Sequence, residues 1–253
     1  MSGGPIEWDA ESYDEISAPQ LSWGMEVLGR LELSGDEAAI DAGCGSGRVT
    51  EELADRLPAG RVIAVDGSAA MIAKARERLG ERAEYLVADL SELGVEEQVD
   101  LIFSTATFHW IPDHDRLFQC LRKALRPGGR LVAQCGGEGN IAEHAEATAA
   151  VAALPEYRPY LEDAAELWNY AGPEQTEGRL RRAGFAEARC WLEPKPVAPE
   201  DPLRFTMTAT LGAHLARLPE ELRQPFAEAV IGRSRKPMTL DYIRLNIEAR
   251  AAA

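Results

Sequence analysis

Basic residues are scarce in this 253-residue chain: 27 Lys and Arg stand against 42 Asp and Glu, a formal net charge of −15. Binding to nucleic-acid phosphates rests on Lys and Arg displacing counterions, so no nucleic-acid partner is expected. The densest basic group, Arg233, Arg235 and Lys236, falls short of the roughly five clustered charges that a basic patch needs. Long apolar runs are missing too, and nothing approaches the roughly 18 consecutive apolar residues that span a bilayer. The N-terminus carries Glu7, Asp9 and Glu11 where a signal peptide would place basic and then apolar residues. A cytoplasmic protein with no membrane partner is therefore expected. Cysteine is sparse, at positions 44, 120, 135 and 190 with no close pair, which argues against a disulfide framework. Cys120, Cys135 and Cys190 read as small buried hydrophobes. What is there is ordinary for a globular protein: 45% hydrophobic and 27% charged residues, over a length that suits one large domain or a domain with a substantial appendage.

Between residues 38 and 135, short β-branched runs alternate with longer segments of helical period, the signature of βαβ units around a parallel sheet. The runs are Ala38–Ala42, Arg61–Asp66, Tyr85–Asp89, Asp100–Thr105 and Arg130–Cys135. Val49, Leu53 and Leu57 mark the apolar face of a first helix, and Met71, Ile72, Ala75 and Leu79 that of a second with Ser68 as its N-cap. Leu117, Leu121, Ala124 and Leu125 mark a third, begun near Asp113 and stopped by Pro127-Gly128-Gly129. Beyond residue 136 the alternation weakens: 139–172 and 201–232 look helical, the second cut into short pieces by Pro202, Pro219 and Pro225. A helix at Thr176–Gly184, a strand at Ala186–Leu192 and a last, half-exposed strand at Leu240–Ile247 complete the chain. Insertions of this kind are expected over the carboxyl ends of the strands, where open α/β sheets bind ligands.

The strongest motif is Asp41-Ala42-Gly43-Cys44-Gly45-Ser46-Gly47, at the end of the first predicted strand. Glycine is needed where the chain must turn sharply and let a ligand lie on bare backbone. The dinucleotide fingerprint Gly-x-Gly-x-x-Gly fails in both registers, since Arg48 and Thr50 occupy the third-glycine positions. Asp66 closes the second strand, where a carboxylate can accept both hydroxyls of a ribose. Asp89 closes the third, placed to accept from an adenine amino group while Leu90 and Met71 flank the ring. No basic residue is left for a pyrophosphate, so a nucleoside fits better than a dinucleotide.

At these residues the chain resembles the class I S-adenosylmethionine-dependent methyltransferases, from about residue 36 to 136. Asp41 with Gly43, Gly45 and Gly47 matches motif I, Asp66 the ribose-binding acid and Asp89 the adenine position. Thr105 and Ala106 match the fourth-strand end beside the sulfonium, and Leu125-Arg126-Pro127-Gly128-Gly129 the turn before the fifth strand. Within the superfamily, Phe108-His109-Trp110-Ile111-Pro112-Asp113-His114 and the early Trp8-Asp9-x-x-x-Tyr13 are similar to the trans-aconitate methyltransferase group. The resemblance implies a doubly wound, mostly parallel seven-stranded sheet with helical insertions forming a cap. Its implied organisation is an N-terminal helical lid at 1–35, a cofactor-binding core at 36–136 continued at 174–200, cap insertions at 137–173 and 201–236, and a last strand and tail at 237–253, all in one structural domain.

The expectation is an enzyme that binds S-adenosylmethionine, releases S-adenosylhomocysteine and methylates a small molecule, with a carboxylic acid as one acceptor. Cys44, Gly67, Met71, Leu90 and Thr105 join the motif residues around the cofactor, and Tyr13, Gln20, Trp23, His109 and Trp110 line the acceptor side. His109 is the candidate general base, since its unperturbed pKa lies near working pH. An acid acceptor would need a basic residue in the pocket, for which Arg158, Arg204 and Arg244 are candidates, whereas Phe108, Trp110, Trp168 and Trp191 would favour an apolar acceptor. His109 and His114 lack a recognised metal-ligand pattern, so no metal is expected. The rival readings are a non-catalytic protein that keeps the nucleoside pocket and a nucleotide-dependent oxidoreductase.

Overall fold

The first two predicted strands, Ala38–Ala42 (β1) and Arg61–Asp66 (β2), form as expected because nearly every residue in them is buried on both faces, the condition that a central parallel strand satisfies. The computed structural model describes residues 18–95, 97–162 and 168–253. In it β1 and β2 join Glu84–Val87 (β3), Val99–Thr105 (β4), Leu125–Gly136 (β5), Phe185–Pro194 (β6) and Ile243–Ala251 (β7) in one sheet of order β3-β2-β1-β4-β5-β7-β6. The first five strands run parallel, and β7 lies antiparallel to both β5 and β6. This is the doubly wound, mostly parallel seven-stranded sheet that the resemblance implied.

Alternation along the strands sorts side chains into two cores. Ala39, Leu101 and Phe103 pack with Val27, Leu28 and Leu53 on one face. Ile40, Ala42 and Ile102 pack with Leu117, Phe118 and Leu121 on the other. Each large apolar side chain buried this way contributes about 1.5–3 kcal/mol. The first face is covered by helices Ala18–Gly29 (α1) and Arg48–Asp55 (α2). Ala69–Leu79 (α3) begins where Ser68 Oγ accepts the Met71 amide, and His114–Ala124 (α4) where Asp113 accepts the Arg116 amide at 2.9 Å.

Three expectations need correction. β3 stops at Val87, so Asp89 does not close the strand; its carboxylate instead caps a short turn by accepting the Ser91 amide at 2.8 Å. β7 begins at Ile243 and sits between β5 and β6, which buries Arg244 and Asn246 as well as the apolar residues, so it is not a half-exposed edge. Pro225 does not break its helix. It lies inside Glu220–Arg233, near the start, where the missing amide removes one bond while Phe226, Ala227 and Val230 stay fully buried.

The two insertions share a core of their own. Ala147 and Val151 from Ala142–Ala152 (α5) meet Leu211, Leu215, Phe226 and Val230 from the later insertion, with Tyr157 against Phe226 at 5.0 Å between ring centres. Among the described residues no helix is long and apolar enough to cross a membrane.

Candidate active site

The bend after β1 uses three glycines for three different reasons. Gly43 has φ +85°, and a Cβ there would lie 2.1 Å from Thr107 Oγ1. Gly47 has φ +83° and would drive a Cβ to 2.6 Å from Leu79 Cδ1, so it is glycine to let α3 approach. Gly45 has φ +54°, but a Cβ there meets nothing within 4 Å, because this glycine faces open space. Bare backbone facing a crevice at the carboxyl edge of a parallel sheet is where a ligand lies.

Two acidic residues brace the bend. Asp41, at the end of β1, is 2% exposed and accepts the Thr50 hydroxyl at 2.7 Å. Burial pushes its carboxyl up to about 7, with the charge of Asp66 adding to the rise. Asp66, at the end of β2, accepts the Gly45 amide on Oδ2 and the Ser68 amide on Oδ1, both at 2.9 Å. Its pKa is also raised by burial, against the lowering effect of those amides. A carboxylate offers about four lone-pair positions, so acceptor capacity remains for a ribose hydroxyl.

The nucleoside fit can be tested on these features. The unobstructed side of Gly45 and the remaining acceptor capacity of Asp66 suit a nucleoside lying across the bend, with Gly67 next to Asp66 in sequence. Met71 is buried and Leu90 packs into the core under the sheet, while Asp89 is exposed on its turn. Cys44 is buried, and its thiol is pushed well up by burial and by both carboxylates, so it is no nucleophile here.

At the end of β4 the chain turns through Ala106, at φ 57°, whose amide donates to Gln134 O at 2.7 Å. Thr107 Oγ1 reaches the carbonyls of Thr105 and Gly43, and so locks this turn to the glycine bend. The turn carries His109, 8% exposed, whose Nδ1 accepts the Gly136 amide at 3.3 Å. Burial, then the charge of Arg244 and His114, holds its pKa well below the usual range. The ring is thus neutral with its proton on Nε2. His114 is structural, bonding Phe108 O at 2.9 Å. Among the described residues no three His, Cys, Asp or Glu side chains converge as a metal site would require.

A cavity of about 40 Å³ opens beside this turn, walled by Gln20, Ala106, His109, Trp110, Tyr170 and Arg244 among others. Its aromatic wall is continuous: Tyr170 stacks on His109 and on Trp168, each at 5.8 Å, and Trp110 lies 5.1 Å from His109. Gln20 Oε1 is buried there without a hydrogen-bond partner, a costly state that a bound molecule relieves. Trp23 is buried next to the cavity, against Tyr242 at 5.2 Å and under the Arg244 guanidinium at 4.9 Å. A roomier hollow of about 430 Å³ lies at the amino end of the strands, lined by Asp36, Asp100, Arg126 and Arg130. It is on the wrong edge of the sheet for an α/β ligand crevice, and Arg126 there is ion-paired with Asp100 at 2.7 Å.

Of the acceptor-side candidates, the structure gathers Gln20, His109 and Trp110 at one cavity, with Trp23 behind it; Tyr13 lies outside the described residues. Among the basic candidates only Arg244 reaches the cavity, since Arg158 is exposed beside Glu162 and Arg204 is on the surface. Trp168 lines the cavity, whereas Phe108 is in the core and Trp191 lies between Arg30 and Arg189 on the outer strand. Asn140, Tyr170, Thr210 and Tyr242 had no motif to reveal them; they meet only because the two insertions and β7 fold over one strand end.

Comparison with known proteins agrees with this geometry. Residues 40–133 match the family described as "Methyltransferase domain". The chain is 37% identical over 130 residues to trans-aconitate 2-methyltransferase of Variovorax paradoxus, covering 51% of this chain and 50% of that protein. It is 38% identical over 128 residues to the Escherichia coli K12 enzyme of that name, with 51% and 50% covered. The chain thus spans about half the length of the curated relatives it matches. In fold it is similar to phosphoethanolamine N-methyltransferase 2 of Haemonchus contortus, solved with phosphomonomethylethanolamine and S-adenosylhomocysteine, at TM-score 0.61 and 20% identity over 96% of this chain and 56% of that one. It is also similar to the [4+2]-cyclase SpnF, at TM-score 0.60 and 18% identity over 100% of both chains. Residues 40–133 thus match a methyltransferase domain, and the sheet order and glycine bend are similar to those of the class I S-adenosylmethionine-dependent methyltransferases.

Proposed function

We infer that this protein transfers a methyl group from S-adenosylmethionine to a small carboxylic acid, with a methyl ester and S-adenosylhomocysteine as products. One observation carries the reading: the glycine bend, tied down by Asp66, is bonded through Gly43 and Thr107 to the turn that walls a cavity whose described lining includes one guanidinium, that of Arg244. The names of the relatives support an acid acceptor, and SpnF is a reminder that this fold alone does not decide the reaction.

The bound cofactor supplies an electrophilic methyl group on a sulfonium. Asp66 is assigned to the ribose hydroxyls and Asp89 to the adenine amino group, with Met71 and Leu90 beside the ring. Asp41, Gly43, Cys44, Gly47, Gly67 and Thr105 shape the bend and the neighbouring strand end. An ionised carboxylate attacks through an oxygen lone pair; the new O–C bond forms as the S–C bond breaks with its electrons left on sulfur. No proton moves, so no general base is required. His109 is accordingly assigned as a positioning donor through Nε2–H, since its Nδ1 already holds the Gly136 amide. Alignment of nucleophile, methyl and sulfur in a closed site can supply about 7 to 11 kcal/mol of the barrier. The cavity's 40 Å³ admits little more than a water, so the aromatic wall must part for the acceptor and exclude solvent on closing.

Calorimetry with S-adenosylmethionine, S-adenosylhomocysteine and NADH, followed by a labelled-methyl screen over small acids, phenols and amines, tests the reading. Tight binding of both adenosyl ligands and base-labile label on an acid are expected. Preference for NADH would point to an oxidoreductase, and adenosyl binding without transfer to any acceptor to a non-catalytic protein; either overturns it.

A further inference from the structure

We propose that the acceptor is a monocarboxylic acid with a flat, unsaturated or aromatic body, its carboxylate held by Arg244. The proposal rests on the methyl-transfer reading above and narrows its acceptor class.

The charge in the cavity sets the number of carboxylates. Arg244 faces Gly136 across the β5–β7 ladder and so brings its guanidinium to the carboxyl end of the parallel strands, 3% exposed. It is the only Lys or Arg among the described lining residues. The segments outside the description, 1–17, 96 and 163–167, contain no Lys or Arg at all, and 1–17 carry Glu7, Asp9, Glu11, Asp14 and Glu15. Lys195 pairs with Glu26 at 2.6 Å and Glu193 at 3.0 Å, and Arg30 with Asn246 at 2.7 Å; neither lines the cavity. A guanidinium is the side chain best matched to one carboxylate, through two parallel hydrogen bonds. A second or third carboxylate would enter without a cation among the described lining residues, against aromatic rings.

The walls set the shape of the body. Tyr170 and Trp168 lie nearly parallel, at 11°, and His109 is within 27° of Tyr170, so flat surfaces dominate one side of the cavity. Flat π surfaces favour stacking with a planar partner. Methylation would also aid release, because the neutral ester loses the charge that binds it to Arg244. Arg244 lies outside the matched domain at 40–133, so the domain match carries no information about this anchor.

The test uses the full chain saturated with S-adenosylhomocysteine, titrated by calorimetry with benzoate, trans-cinnamate, cinnamamide and trans-aconitate, alongside turnover with S-adenosylmethionine. Expected are a monoacid bound at least about tenfold tighter than the tricarboxylate, and a loss on the order of a hundredfold from acid to amide. In Arg244→Gln, KM for the monoacid should rise on the order of a hundredfold while affinity for S-adenosylmethionine is unchanged, with Arg244→Lys in between. Equal binding of acid and amide by the native chain overturns the anchor even if the variants fail to fold, and higher kcat/KM for trans-aconitate than for every monoacid overturns the acceptor class. Acid bound through Arg244 but never methylated would sink the methyl-transfer reading and leave the anchor standing. If no acid binds while S-adenosylhomocysteine does, the anchor falls by itself.

Discussion

Asp66 Oδ2 accepts the backbone amide of Gly45 at 2.9 Å, which joins the end of β2 to the tip of the glycine bend across 21 residues of sequence. One carboxylate therefore shapes the bend and, in the proposed function, receives the ribose. Asp66→Asn keeps the size but replaces one acceptor oxygen with a donor that faces an amide. Affinity for S-adenosylmethionine should fall by about 30- to 100-fold, consistent with about 2–3 kcal/mol for a charge-assisted pair, as read by calorimetry. Unchanged affinity would remove Asp66 from the binding site.

The glycines separate stability from binding. Gly43→Ala sets a Cβ 2.1 Å from Thr107 Oγ1 at φ +85°, and should destabilise the fold by about 3 kcal/mol or more through clash and left-handed strain. Gly45→Ala meets no atom within 4 Å, so it should cost only about 1 kcal/mol while its methyl obstructs the cofactor. Urea unfolding with and without S-adenosylhomocysteine distinguishes the two: ligand stabilisation should be largely lost in Gly45→Ala, whose apo stability stays near that of the native chain.

Asp41 makes stability depend on pH in an unusual direction. Burial raises its carboxyl from 3.8 to about 7. Between those values the folded protein binds more protons at this site than the unfolded chain, so the site's contribution falls as pH rises from about 4 to 7 and is flat above. Asp41→Asn keeps an acceptor for Thr50 and should abolish that dependence. The difference in unfolding free energy between variant and native chain should grow by up to about 4 kcal/mol across this window. A difference that does not change with pH would show that Asp41 titrates normally.

For His109, a donor and a base predict different pH profiles. With Nδ1 bonded to the Gly136 amide and the pKa depressed by burial, the ring stays neutral through the physiological range. His109→Gln should lower kcat/KM for an acid acceptor by about tenfold, by a factor that stays constant from about pH 6 to 9. A ratio that climbs steeply across this range would restore the base.

How much of this was legible beforehand follows from which forces are local. β1 and β2, the Ser68 and Asp113 caps and the glycine bend were readable because burial pattern, capping chemistry and φ requirements act within a few residues. The end of β3 was misplaced at Asp89 because Ala88 and Asp89 continue an apolar-to-acidic pattern, while the Asp89–Ser91 turn that ends the strand competes at the same residues. Pro225 was misread because propensity alone does not register that Phe226 and Val230 anchor the helix from the other insertion.

The order of motifs along the chain, with glycines and carboxylates at or just past successive strand ends, by itself determined the fold class and pointed to the proposed cofactor side of the site, since each such residue answers to backbone geometry at its own position. The acceptor side was decided only in three dimensions. Tyr170 on a loop, Thr210 in the second insertion and Arg244 on a strand inserted between β5 and β6 come from segments far apart in sequence. Side-chain packing between distant elements obeys no short-range pattern, so which arginine faces the cavity follows from the antiparallel register of β7 and from nothing beside it in the chain.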